Sequence, residues 1–191
     1  MVEPLVIEAS GSHREVGRQI GEAGRDVVAW GLEAYASRFH ALSGMSFSEA
    51  VERAGAFLRY AEDYTPQALD QLRGLAEAAN VPFDHLFALN CSEEFTCTAD
   101  RNWPPEHCTS LAVAAEGQTV AGHNEDWYPE EIEAQTIRVV RLTGRWSSAA
   151  YISAGPAYNL PITGVTAAGF SSAANTVYYR DERIGVPSNF V

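Results

Sequence analysis

Apolar positions recur at helical spacing through the first hundred or so residues and in short, strand-like runs after them. Ser12 and Glu15 form a capping box, in which each side chain serves the other's backbone N–H. It opens a segment with Val16, Ile20, Val27, Trp30, Tyr35 and Phe39 available for one buried face, which predicts a first helix despite several glycines. Ser46 and Glu49 repeat the box before Val51, Ala54, Phe57, Leu58 and Ala61, and Thr65 and Pro66 place a cap and an N1 proline before Leu69, Leu72, Leu75 and Ala76. After the stop at Asn80, Val81 and Pro82, residues 83–94 carry a fourth helical pattern through Leu86, Phe87 and Leu89.

From Cys108 onward, short runs are separated by Gly, Pro and Asn, and residues 136–142, 147–153 and 170–179 have the character of strands. Residues 107–113 form a further run that turns at Glu116, Gly117 and Gln118 and returns through 119–121 into Gly122, His123, Asn124, Glu125, Asp126 and Trp127. This predicts a hairpin that brings Asn124 and Asp126 back toward Cys108. Residues 98–106 are rich in turn formers and read as an exposed connector. Helices followed by strands imply an α+β protein. The chain ends on an apolar residue shortly after Pro187, with no terminating signal, so it is expected to be the amino-terminal part of a longer protein.

At 191 residues and 46% apolar, the chain can bury one good core. It has no apolar run near the roughly 18 to 20 residues that span a bilayer. Its start lacks the basic flank and apolar stretch of a signal peptide, so a cytoplasmic location is expected. A net charge of −12, with 13 basic residues dispersed, argues against nucleic acid or an anionic membrane as partner. Cys91, Cys97 and Cys108 are too few for a disulfide framework. Neither Cys-x-x-Cys nor His-x-x-x-His occurs, so no metal and no cofactor are expected. Cys91 and Cys97 read as small buried hydrophobes.

Cys108 is a candidate nucleophile and Asp126 its candidate orienting partner. Cutting the His107–Cys108 bond would leave an α-amino group tethered to the thiol, so that one residue supplies nucleophile and general base. The thiol itself can make the cut by attacking the preceding carbonyl. The blander readings are inert core for Cys108, a strand-end cap for Asp126 and a bulge or strand entry for Asn175.

Four separated motifs stand in order: Cys108-Thr109-Ser110; residues 122–127; residues 164–170 with Asn175; and residues 180–187. Together they resemble the acyl-coenzyme A:6-aminopenicillanic acid acyltransferase family, self-processing cysteine peptidases among the amino-terminal nucleophile hydrolases and related to the choloylglycine hydrolases. Residues 15–21 and 72–91 are similar to that family's prosegment. The resemblance implies an αββα fold, with a helical prosegment over 1–107 and a catalytic β chain from Cys108, the two remaining together as a heterodimer after the cut. It implies Cys108 as the processing and acyl-accepting nucleophile, Asp126 as the holder of its amino group and Asn175 as an oxyanion donor, with His123 and Asn124 bordering the site. Thr166 and His107 depart from the Asn, and from the Gly or Asp, common in the family.

The implied activity is hydrolysis or acyl transfer on the amide of a small acylated amine, through a thioester on Cys108, with acyl-coenzyme A possible as a substrate. The acidic balance leans toward plain hydrolysis, because coenzyme A phosphates call for basic groups. Two other classes stay open: a catalytically silent small-molecule-binding protein on the same fold, and a thiol sensor built on two of the three cysteines.

Overall fold

A computed structural model describes residues 3–97, 108–176 and 183–191. Among the described residues, six α-helices and seven strands run in the order β1 (Leu5–Gly11), α1 (His13–Ala23), α2 (Arg25–Ser43), α3 (Phe47–Tyr64), α4 (Pro66–Ala79), α5 (Phe83–Leu89), α6 (Ser92–Thr96), β2 (Thr109–Ala115), β3 (Gln118–Asn124), β4 (Gln135–Leu142), β5 (Tyr151–Pro156), β6 (Thr163–Thr166) and β7 (Ser171–Ser172). The chain is α+β, as its pattern predicts. The predicted connector and His107 lie outside the described residues, as do residues 177–182.

Both capping boxes form, at the starts of α1 and α3. Thr65 makes no side-chain cap bond at the start of α4, which relies on Pro66 in its first turn. The single first helix expected from the pattern is two, broken at Gly24. A Cβ there would lie 2.6 Å from that of Ala157, so the break lets the chain pass close to the loop after β5. Residues 83–94 likewise divide into α5 and α6, at Asn90. That buried side chain donates to the carbonyls of Leu86 and Tyr158, both at 2.9 Å, and accepts from the Leu160 N–H at 2.8 Å. Its amide is thereby spent on tying the helix end to the β region.

The hydrophobic pattern predicts no strand ahead of the helices, yet one is present. β1 buries only Ile7 and Ala9, too short an alternation to stand out beside a capping box. It pairs in parallel with β4, Leu5 opposite Thr136 through Gly11 opposite Leu142. The main sheet runs β1-β4-β5-β6-β7, and its other pairs are antiparallel. The described residues before Cys108 and the β-rich remainder therefore share one sheet through β1 and β4. They also share one core, in which Val16, Ile20, Leu72 and Leu75 join Val140, Leu142, Ala157 and Leu160.

The strand expected over 147–153 starts only at Tyr151, because Gly144–Ala149 winds as a 3-10 turn. β6 gives no sign of itself in the pattern, its apolar content being slight and broken by Gly164. Of 170–176, only Ser171 and Ser172 pair in the sheet, after a tight turn at Gly169 (φ 84°). The predicted hairpin forms as a separate two-stranded sheet, β2 with β3. Glu116 (φ 52°) and Gly117 (φ 76°) make its two-residue loop, the left-handed pair that matches strand twist.

Candidate active site

The hairpin register sets Thr109 opposite Asn124 and Ser110 opposite His123. Side chains alternate along a strand, and opposed residues point to the same face. Continued past the strand ends, this puts Cys108, Ser110, His123 and Glu125 on one face and Thr109, Asn124 and Asp126 on the other. The contacts follow that division. Cys108, 8% exposed, directs its thiol at Glu125 Oε1, 3.7 Å away, and His123 Nε2 lies 3.1 Å from Glu125 Oε2. On the opposite face Asn124 Nδ2 donates to Asp126 Oδ1 at 2.7 Å.

Asp126 therefore reaches the thiol through its backbone N–H, while its carboxylate is held by Asn124. Glu125 is the carboxylate in contact with sulfur, and the sequence motif alone does not single it out. Strand alternation counted from Cys108 is the signal that finds it.

Asn175 closes the arrangement from β7's side. Its Nδ2 donates to the Cys108 carbonyl at 2.8 Å, and its Oδ1 accepts from the Ser110 hydroxyl at 2.5 Å. Because Ser110 spends its proton there, its oxygen is left to accept from His123 Nδ1–H, 3.0 Å away. His123 Nε2 then faces Glu125, and the bond between them needs one proton carried on either partner. A continuous chain thus runs from the Cys108 carbonyl through Asn175, Ser110, His123 and Glu125 back to the Cys108 thiol. The sequence-predicted residues Cys108, Asn175 and His123 meet in this chain, Asp126 and Asn124 sit beside it, and Ser110 and Glu125 complete the circuit.

Burial pushes the Cys108 thiol above its ordinary value, and the Glu125 charge adds to the rise, while the Asp126 backbone N–H works against it. The resting group is a thiol. Cys91 and Cys97 are free and buried, the first raised well above the usual thiol range and the second to about 12, chiefly by burial. Both behave as core. Glu93 on α6 rises to about 7, first through burial and then through the neighbouring charges of Glu94 and Glu125.

Cys108, His123 and Glu125 also present ligand atoms all within 4.8 Å of one another, compact enough for a metal ion to be held. These ligands are distant in sequence, which is why spacing motifs give no sign of them. The same His123 and Glu125 form one wall of a cavity of about 180 Å³ that extends past Trp127 and Glu131 to Arg138 and Asn159. Trp127 lines it and packs edge-on against Tyr128 at 5.2 Å.

No protein-family model matches the chain, and no curated protein matches it. Among the described residues, no helix is long and apolar enough to cross a membrane.

Proposed function

We propose that the chain is a self-processing cysteine hydrolase or acyltransferase of the amino-terminal nucleophile class, acting on the amide of a small acylated substrate and similar to the acyl-coenzyme A:6-aminopenicillanic acid acyltransferases. The observation that carries this is the closed polar circuit around Cys108: a thiol at a strand head, a carboxylate on its sulfur and an asparagine amide on its own carbonyl. Four motifs in order and the α+β architecture support it.

In the uncut chain the thiol sulfur attacks the carbonyl carbon of His107. Glu125 is placed to take the thiol proton. The C–N bond breaks, the nitrogen of Cys108 takes a proton and the upstream chain is left as a thioester, which water hydrolyses. The α-amino group so released then serves as general base: sulfur attacks the substrate amide, the leaving amine departs with a proton and the acyl group rests on Cys108 until water or an acceptor amine removes it. Asn175 Nδ2 bonds the carbonyl of Cys108 itself; the resemblance assigns this amide to the developing oxyanion, where a fixed N–H is worth a few kcal/mol in acyl transfer.

The raised thiol also fits the second reading, a silent small-molecule-binding protein, since no thiolate stands ready. Intact mass separates the two. Two pieces meeting at His107 and Cys108, abolished by Cys108→Ala, are expected. A single uncut mass from the full-length protein would move the assignment to the binding protein.

A further inference from the structure

We infer that the cavity beside Cys108 is a subsite for a carboxylate held by Arg138, so that the preferred substrate is an amide carrying one free carboxylate. As a statement about substrate this rests on the proposed hydrolase activity; as a statement about binding it stands without it.

Arg138 lies in the middle of β4 and is 1% exposed. A guanidinium has five N–H donors, and buried donors in folded proteins are almost always used. Here Nη1 donates to the Asn159 carbonyl at 2.6 Å, while Nε is sealed from solvent with no acceptor. Among the described residues no carboxylate forms an ion pair with it: Glu131, on the same cavity, is engaged by Arg38. A buried cation without a counter-charge is strongly unfavourable.

One more donor nearby is unused: the Thr163 hydroxyl is buried without a partner, and Thr163 borders the same cavity. The wall beside the guanidinium is kept bare by Gly155, whose φ of 142° disfavours other residues and where a Cβ would lie 3.3 Å from Arg138 Nη2.

A carboxylate answers this arrangement, because it accepts two parallel N–H bonds from a guanidinium and brings the missing charge. A phosphate dianion does not, since among the described residues the cavity lining holds no Arg or Lys besides Arg138 to answer its second negative charge. The lining also orients the ligand. With its carboxylate at Arg138, the neutral amide points to the His123 and Glu125 end, next to the Cys108 thiol.

The test uses the full chain bearing Cys108→Ala, titrated calorimetrically with N-acetylglycine, N-acetyl-β-alanine and 4-acetamidobutyrate, each against its primary amide. At least one acid is expected to bind roughly ten-fold or more tightly than its amide. The preference should persist in part in Arg138→Lys and vanish in Arg138→Gln. Equal binding of acid and amide overturns the inference, as does no binding of any probe, the result if water or a carboxylate of the protein itself already occupies Arg138. The acid–amide comparison needs no variant at position 138, so a misfolded Arg138→Gln leaves it decisive. Self-cleavage is read by mass in the parent chain, so a protein that binds the acid but never cuts loses the hydrolase assignment and keeps this one.

Discussion

Asn175 donates its side-chain N–H to the backbone carbonyl of Cys108 at 2.8 Å, across 67 positions of sequence. It also accepts the Ser110 O–H hydrogen bond, and so sets the direction of every later bond in the circuit through His123 to Glu125. Asn175→Ala removes both contacts. Self-cleavage is expected to slow by about 100-fold, the scale associated with loss of one oxyanion donor or a 1 Å misplacement of reacting groups. A time course of intact mass measures it, and an unchanged rate would remove Asn175 from the site.

Glu125 places negative charge against the Cys108 sulfur and disfavours the thiolate. Glu125→Gln is therefore expected to lower the thiol's titration. The rate of alkylation by iodoacetamide, which follows the thiolate, should rise at lower pH in the variant than in the parent. The same substitution removes the only described carboxylate placed on the sulfur, so cleavage should slow while alkylation at neutral pH quickens. That opposition separates a base from a merely repulsive charge.

Gly17, Gly21 and Gly74 let α1 and α4 touch backbone to backbone. A Cβ would come within 1.9 Å of the Gln71 carbonyl oxygen at Gly17, within 2.3 Å of that of Leu75 at Gly21, and within 2.2 Å of that of Arg14 at Gly74. Gly74→Ala is expected to destabilise the fold by about 3 kcal/mol, because neither helix can retreat without opening the core around Leu72 and Leu75. An alanine at Gly55 of α3, where a Cβ meets nothing, should instead stabilise by about 0.5–1 kcal/mol. Urea denaturation of the two variants distinguishes contact from propensity.

These glycines mark where local pattern stops informing. Ser12 with Glu15, Ser46 with Glu49, and the Glu116 and Gly117 turn are legible because each device closes within four residues. β1 is not, since its partner β4 lies about 130 residues on and β1 itself buries only Ile7 and Ala9. Gly24 looks like one more helical position because Ala157, which requires the break, is remote in sequence. At the site the motifs point to Cys108, Asn175 and His123. Glu125 is hidden by its neighbour Asp126, the residue the resemblance favours, although alternation along the hairpin assigns them to opposite faces. Nothing local points to Arg138, whose significance lies in the partners it lacks.

Arg38 on α2 and Glu131 in the turn before β4 are both buried and bonded to each other. Arg38 also reaches Glu130 at 3.0 Å and lies over the Tyr128 ring at 3.8 Å. Removing Arg38 leaves Glu131 buried without its cation, whereas removing Glu131 still leaves Arg38 its contact with Glu130. Arg38→Met is therefore expected to cost about 3–5 kcal/mol, and the double change with Glu131→Leu should recover much of that loss. Unfolding free energies of the single and double variants provide the check, and a double variant no more stable than the Arg38 single would show that the pair contributes more than it costs to desolvate.

Glu93 ties stability to pH in the direction opposite to an ion-paired carboxylate. Its folded value is raised to about 7 from 4.5, so the native chain keeps a proton that the unfolded chain has released across that window. Protons bound in excess by the native state mean that stability falls as pH rises from about 4.5 to about 7, then levels off. Glu93→Gln removes the charge that has to be buried. It is expected to leave stability near pH 4.5 almost unchanged and to raise it by about 1–3 kcal/mol at pH 8. Urea unfolding at the two pH values measures the difference. A gain of equal size at both would mean that the substituted amide improves packing or bonding without relieving a buried charge.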